Sequence, residues 1–161
     1  MRILVIGGNR FFGKKLVANL LKADHAVTLL NRQSHDDGFG SQITRIKCDR
    51  YNTNELQMKA GHQSWDLIYD QVCYEASEAR GACEIFTNRA ERYIFTSSQS
   101  VYDNGANLKE ADFDPKTYEF STDVKSQSDY RTAKRQCESV FFHQKNLNRH
   151  RDSFSNRLRP G

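Results

Sequence analysis

Three glycines stand where chemistry could start. The stretch Gly7-Gly8-Asn9-Arg10-Phe11-Phe12-Gly13 joins a short apolar run, Arg2 to Ile6, to a helical pattern. A tight glycine turn at such a junction lets backbone N–H groups and the helix dipole meet a pyrophosphate, and a glycine at the helix start allows close packing on the sheet. The next apolar run ends in Leu30-Asn31-Arg32. A dinucleotide site uses an acid at that strand end to hold a ribose diol, or a base to hold a 2′-phosphate. No acid is present, and Arg32 with Arg10 can clamp a phosphate, so NADP is expected ahead of NAD. Farther along, Tyr130 and Lys134 lie one helical turn apart. A lysine held near a phenol favours the phenolate, which suits proton exchange with a hydroxyl or carbonyl at neutral pH. Ser98, at a strand's C-terminal end, can donate a hydrogen bond to the same oxygen.

The elements that must position these groups alternate in type. Short apolar runs and helical patterns follow one another through residue 97, the rhythm of a parallel sheet with crossover helices. The runs are Arg2 to Ile6, Ala26 to Leu30, Ile43 to Cys48, Leu67 to Tyr69 and Tyr93 to Thr96, and the third is polar enough to sit near an edge. The first helix shows an apolar face of Phe12, Leu16 and Leu20 with Val17 and Leu21. Another carries Ala76, Ala79, Cys83 and Phe86. Pattern lapses from Asp103 to Ser128, a long loop suited to shaping a site. It returns with Ala133, Cys137, Val140 and Phe141 on a helix expected to be capped by Ser126 or Ser128. Residues 1–144 therefore read as one α/β domain, a Rossmann-type doubly wound parallel sheet. Ligands in such sheets bind outside the C-terminal ends of the strands, where Gly7 and Ser98 both fall.

Charge and cysteine usage exclude other classes. The net charge of +4 comes from residues 145–161, where five Lys or Arg face the single acid Asp152, so the body is neutral. Neutrality argues against a nucleic-acid surface on the body, and the tail has only Phe154 for stacking on bases. The tail has no apolar period and is expected to be disordered. Cys48, Cys73, Cys83 and Cys137 match neither zinc nor redox spacing, so buried free thiols and no metal are expected. No run is long and apolar enough for a membrane span or a signal segment, and a cytoplasmic protein is expected. Gly8 to Lys14 also reads G-x-x-x-x-G-K, and Leu67-Ile68-Tyr69-Asp70 could end a strand on a metal-binding acid. That P-loop reading is the weaker, because Lys15 stands where a hydroxyl should meet Mg²⁺.

With the glycine turn, Thr96-Ser97-Ser98-Gln99-Ser100-Val101-Tyr102 and Tyr130-Arg131-Thr132-Ala133-Lys134 in this order, the chain resembles an extended or atypical short-chain dehydrogenase/reductase. More narrowly, residues 1 to about 144 are similar to the NAD-dependent epimerase/dehydratase family. The resemblance implies that Ser98 orients a substrate, Tyr130 exchanges a proton and Lys134 binds the nicotinamide ribose. The substrate it implies is a nucleotide sugar or related carbonyl compound. It implies further that Asp49 contacts adenine, and that the strand end Asp70-Gln71-Val72-Cys73-Tyr74 lines the cofactor. Arg10 replaces the middle glycine of the family's loop, as in the atypical branch, some of whose members bind RNA; an RNA-binding relative is the alternative. The family continues with a further strand and a substrate domain. Their absence here leads to the expectation of a truncated form, with an unfinished sheet edge open to self-association.

Overall fold

The computed structural model describes residues 1–120 and 129–144. Five strands form one parallel sheet: β1 (Arg2–Ile6), β2 (Ala26–Asn31), β3 (Thr44–Lys47), β4 (Trp65–Asp70) and β5 (Ala90–Phe95), in the order β3-β2-β1-β4-β5. The polar third strand is an edge strand. At the centre, Ile3, Leu4, Val5 and Ile6 are all fully buried, as expected of a strand covered on both faces. Their alternation divides the core. Ile3 and Val5 join Val27, Leu29 and Leu67 beneath α1 (Phe11–Lys22), which contributes Val17 and Leu20. Leu4 and Ile6 join Leu30, Ile68, Tyr93 and Phe95 on the other face, beneath α2 (Thr53–Ala60), α3 (Ala76–Phe86) and α4 (Tyr130–His143).

Local chemistry fixes the helix starts. Asn52 caps α2 through its side chain, which accepts from the Glu55 N–H, and Glu75 and Glu78 form a reciprocal capping box on α3. The cap of α4 is Asp129, whose carboxylate accepts from the Thr132 N–H at 3.1 Å. It replaces the expected serines, which lie outside the described residues, as does the tail from 145 on. On α1 the buried row is Gly13, Val17 and Leu20, and Phe12 is 45 % exposed. The helix is rotated so that its glycine, not Phe12, faces the sheet. Part of the expected long loop is ordered around a small cluster of Val101, Tyr102 and Phe113. Among the described residues, no helix is long and apolar enough to cross a membrane.

Candidate functional site

Where the sheet ladder runs out at the C-terminal ends of the strands, a cleft of about 530 Å³ opens. Its lining takes residues from beyond every strand: Gly7 to Gly13 after β1, Asn31 and Arg32 at β2, Asp49 after β3, Gln71 and Val72 after β4, and Thr96 after β5. The glycine loop can be this close only because it lacks side chains. Gly7 and Gly8 have φ of +91° and +83°, in the left-handed region. A Cβ on Gly8 would meet Val5 Cγ1 at 2.7 Å, and one on Gly13 would meet Gly8 Cα at 2.5 Å. Phe11 also holds a positive φ, +43°, with its ring 89 % exposed. No burial of the ring offsets that strain, a pattern associated with functional loops.

The lining is basic and aromatic. Arg10 and Arg32 both reach it, as do Ser34 and His35 from the loop after β2; the Arg10 guanidinium donates to His35 Nε2. Asp49 is half-buried; its carboxylate accepts from the Tyr51 N–H, and its own N–H donates to Glu55. Tyr51 and Tyr74 join the rim, each with its hydroxyl pushed upward in pKa mainly by burial. Three polar atoms in lining residues are buried without a protein partner: Arg50 Nε, Gln71 Nε2 and Thr96 Oγ1. Buried polar groups are rarely left so.

Asp70 does not line the cleft. It is fully buried beneath it, because the alternation of β4 turns its side chain toward the α2–α3–α4 layer. There it accepts from Arg50 Nη2 at 2.7 Å and from the Tyr93 hydroxyl at 2.6 Å. Burial opposes the Arg50 charge most strongly, but Asp70 together with Tyr93 and Cys73 raises the guanidinium above its ordinary value. This arrangement also removes the P-loop reading. Its aspartate is held by Arg50, and its lysine, Lys14, lies over the Phe39 ring.

Ser98, Tyr130 and Lys134 are not among the cleft's lining residues: Tyr130 and Lys134, on α4, meet Tyr74 of the rim, whereas Ser98 follows β5 and pairs with its own turn. Lys134 is buried, with Nζ donating to Cys73 O at 2.8 Å and to Thr96 O at 3.0 Å. Its ammonium lies 4.6 Å from the Tyr74 ring and 6.0 Å from the Tyr130 ring. Tyr130 is half exposed and sits 6.3 Å from Tyr74, centroid to centroid. Ser98 Oγ accepts from the Ser100 N–H, while the neighbouring Ser97 hydroxyl bonds Glu138.

Sequence reasoning missed Ser34, His35, Arg50, Tyr51 and Thr96 in the lining. Two of them, Arg50 and Tyr51, directly follow Asp49, so adjacency to an assigned residue was the available signal.

A parallel sheet of this order, with a glycine cradle where the crossover direction reverses, defines a Rossmann-type dinucleotide-binding fold. The chain belongs to the NAD dependent epimerase/dehydratase family, whose sequence profile matches residues 3–147. A curated relative from Arabidopsis thaliana, chloroplast stem-loop binding protein of 41 kDa b, is 32 % identical over 114 residues, covering 63 % of this chain and 30 % of that protein. Among solved structures, a UDP-glucose 4-epimerase superposes with a TM-score of 0.70 at 15 % identity, covering 92 % of this chain and 49 % of its own. A short-chain dehydrogenase/reductase from Veillonella parvula, in complex with NADP, gives 0.62 at 16 % identity, covering 91 % and 65 %. The chain thus spans under two thirds of each of these proteins.

Proposed function

We propose that this chain binds NADP in the cleft at the strand ends, as an NAD(P)-binding protein of the epimerase/dehydratase type. The observation that carries the reading is the cradle. Gly7, Gly8 and Gly13 let the loop fold tightly against the sheet and the N-terminus of α1, whose first turn holds no acid, at the mouth of the cavity, a setting suited to a pyrophosphate. Arg32 and Arg10 favour the 2′-phosphate, since the end of β2 offers no carboxylate for a ribose diol. Asp49 is assigned to the adenine side, and Gln71 and Val72 to the side nearer the nicotinamide.

When bound, the nicotinamide supplies hydride exchange with a carbon of the substrate. Tyr130 is assigned the proton on the reacting oxygen, Ser98 a hydrogen bond to that oxygen, and Lys134 the nicotinamide ribose together with the electrostatic support of Tyr130. The oxygen would belong to a nucleotide sugar or related carbonyl compound. Titrating NADPH and NADH against the unaltered chain and Arg32→Glu tests the cofactor choice. NADPH should bind the unaltered chain more tightly, and the substitution should erase that preference; equal binding of both cofactors throughout would remove the 2′-phosphate assignment.

A second reading is favoured by the rim. Phe11, Phe12, Tyr51 and Tyr74 all line the cleft and are 89, 45, 53 and 37 % exposed, beside Arg10 and Arg32. Exposed rings interleaved with cations suit single-stranded RNA, and the Arabidopsis relative is named for stem-loop binding. Fluorescence anisotropy of a labelled stem-loop RNA, with and without residues 145–161, distinguishes the cleft from the basic tail as its seat.

A further inference from the structure

Arg50 and Asp70 are neighbours in space although their strands are not. β3 and β4 are separated in the sheet by β2 and β1, a span of about 14 Å at ordinary strand spacing. Arg50, in the β3–α2 loop and part of the cleft lining, closes that span with its buried side chain. Its Nη2 donates to Asp70 Oδ2 at 2.7 Å and to the Glu78 carbonyl at 3.2 Å. Arg50 is 5 % exposed and Asp70 not at all.

Asp70 in turn holds what lies around it. Its Oδ2 also takes the Tyr93 hydroxyl, from β5, and its Oδ1 accepts from the Val72 N–H at 3.2 Å. Val72 is in the cleft lining, and a Cβ on Gly7 would meet its Cγ1 at 2.9 Å. One buried ion pair therefore ties the loop carrying Asp49 and Tyr51 to the loop carrying Gln71, Val72 and Tyr74. The strands between them are those that end in the glycine loop and in Arg32.

We propose that Arg50 is a positioning residue that sets the separation between the two halves of the dinucleotide cleft. The inference rests on the cofactor reading above. A ligand that touches only the adenine side needs the β2 and β3 loops and the glycine turn. A full dinucleotide needs both sides at fixed separation, and a misplacement of about 1 Å is enough to lower its binding severely. The pair is buried and hydrogen-bonded on both partners, so removing one member leaves a buried charge unmatched. Replacing both is the change that keeps the fold.

The test compares two ligands on one protein by titration calorimetry: NADPH, and 2′,5′-ADP as the adenine half alone. The variants are Arg50→Met, Arg50→Lys, and the double change Arg50→Met with Asp70→Asn, which leaves Tyr93 an acceptor. The double variant should weaken NADPH about tenfold or more, while 2′,5′-ADP changes by less than about threefold. Arg50→Lys should recover part of the loss, since a lysine keeps the charge toward Asp70 but not the planar guanidinium that holds Nη2 between Asp70 and Glu78 O. A double variant that folds and binds NADPH as the unaltered chain does would overturn the proposal. So would an equal loss of both ligands, which would place Arg50 within the adenine side. Failure of the unaltered chain to bind NADPH would overturn the cofactor reading itself, and this inference with it.

Discussion

Gly13→Ala is the smallest change that tests how the loop and helix are built. One added Cβ would lie 2.5 Å from Gly8 Cα, 2.9 Å from Gln71 Oε1 and 3.2 Å from Gly8 C. Ordinary carbon contacts are about 3.5–4.0 Å, and two of these three atoms are backbone, so the loop must open or α1 must retreat by roughly 1 Å. Overpacking of this kind costs about 1–3 kcal/mol. In a chain of this size that corresponds to a melting temperature lower by roughly 3–10 °C. Retreat also moves the N–H groups off the pyrophosphate, and a hydrogen bond to a charged group contributes about 1.5–3 kcal/mol, so NADPH affinity should fall at least about tenfold. Gly40→Ala is the control. That glycine has φ +52° but nothing within 4 Å, so its substitution should cost stability without touching cofactor binding. Melting curves and NADPH titration of the two variants give the comparison. If Gly13→Ala melts and binds as the unaltered chain does, α1 does not pack on Gly8 as described.

The four buried thiols should resist modification: burial raises Cys48 to about 11 and Cys83 to about 12, and pushes Cys73 up beside Cys137. At pH 8 iodoacetamide should label none of them in the folded chain and all in urea, by mass spectrometry; labelling of the native chain would contradict the packing. The Arg45 guanidinium holds the Asp37 carboxyl below its ordinary 3.8, through bonds of 2.7 and 2.9 Å. A lowered value stabilises the fold above 3.8 and is lost as pH falls through the folded value, so Asp37→Asn should lower the melting temperature at pH 7 and by a shrinking amount below pH 3.8. A pH-independent difference would refute it. Tyr130→Phe should leave NADPH affinity within about twofold and remove turnover of any carbonyl substrate that the unaltered chain reduces, because it deletes one proton and little area. Retained turnover in that variant would take the proton-transfer role away from Tyr130.

Local pattern made much of this legible. The glycine turn, the apolar β1 and the polar edge strand β3 are each written in a few adjacent residues, and their arrangement follows from the right-handed crossovers of a parallel sheet. Phe12 was misjudged because residue type suggests burial, whereas the packing of α1 is decided by Gly13 against Gly8. Asp70 was placed in the lining because a strand end points to the cleft in general. The partner that draws it under the floor, Arg50, is 20 residues away and meets it only through the strand order. The same holds for Lys134, whose carbonyl partners come from the β4 and β5 loops. Contacts of that kind carry no periodic signal. They appear once the topology is known.

The account stands or falls on the cleft holding a nicotinamide dinucleotide. The direct measurement is titration of NADPH with the full chain, following the nicotinamide fluorescence, with the Gly13→Ala chain alongside. A saturable rise in the unaltered chain, displaced by NADP and sharply weakened in the variant, is the predicted result. No change at millimolar cofactor in a chain that melts cooperatively would contradict it, leaving the fold without the function assigned to its cleft.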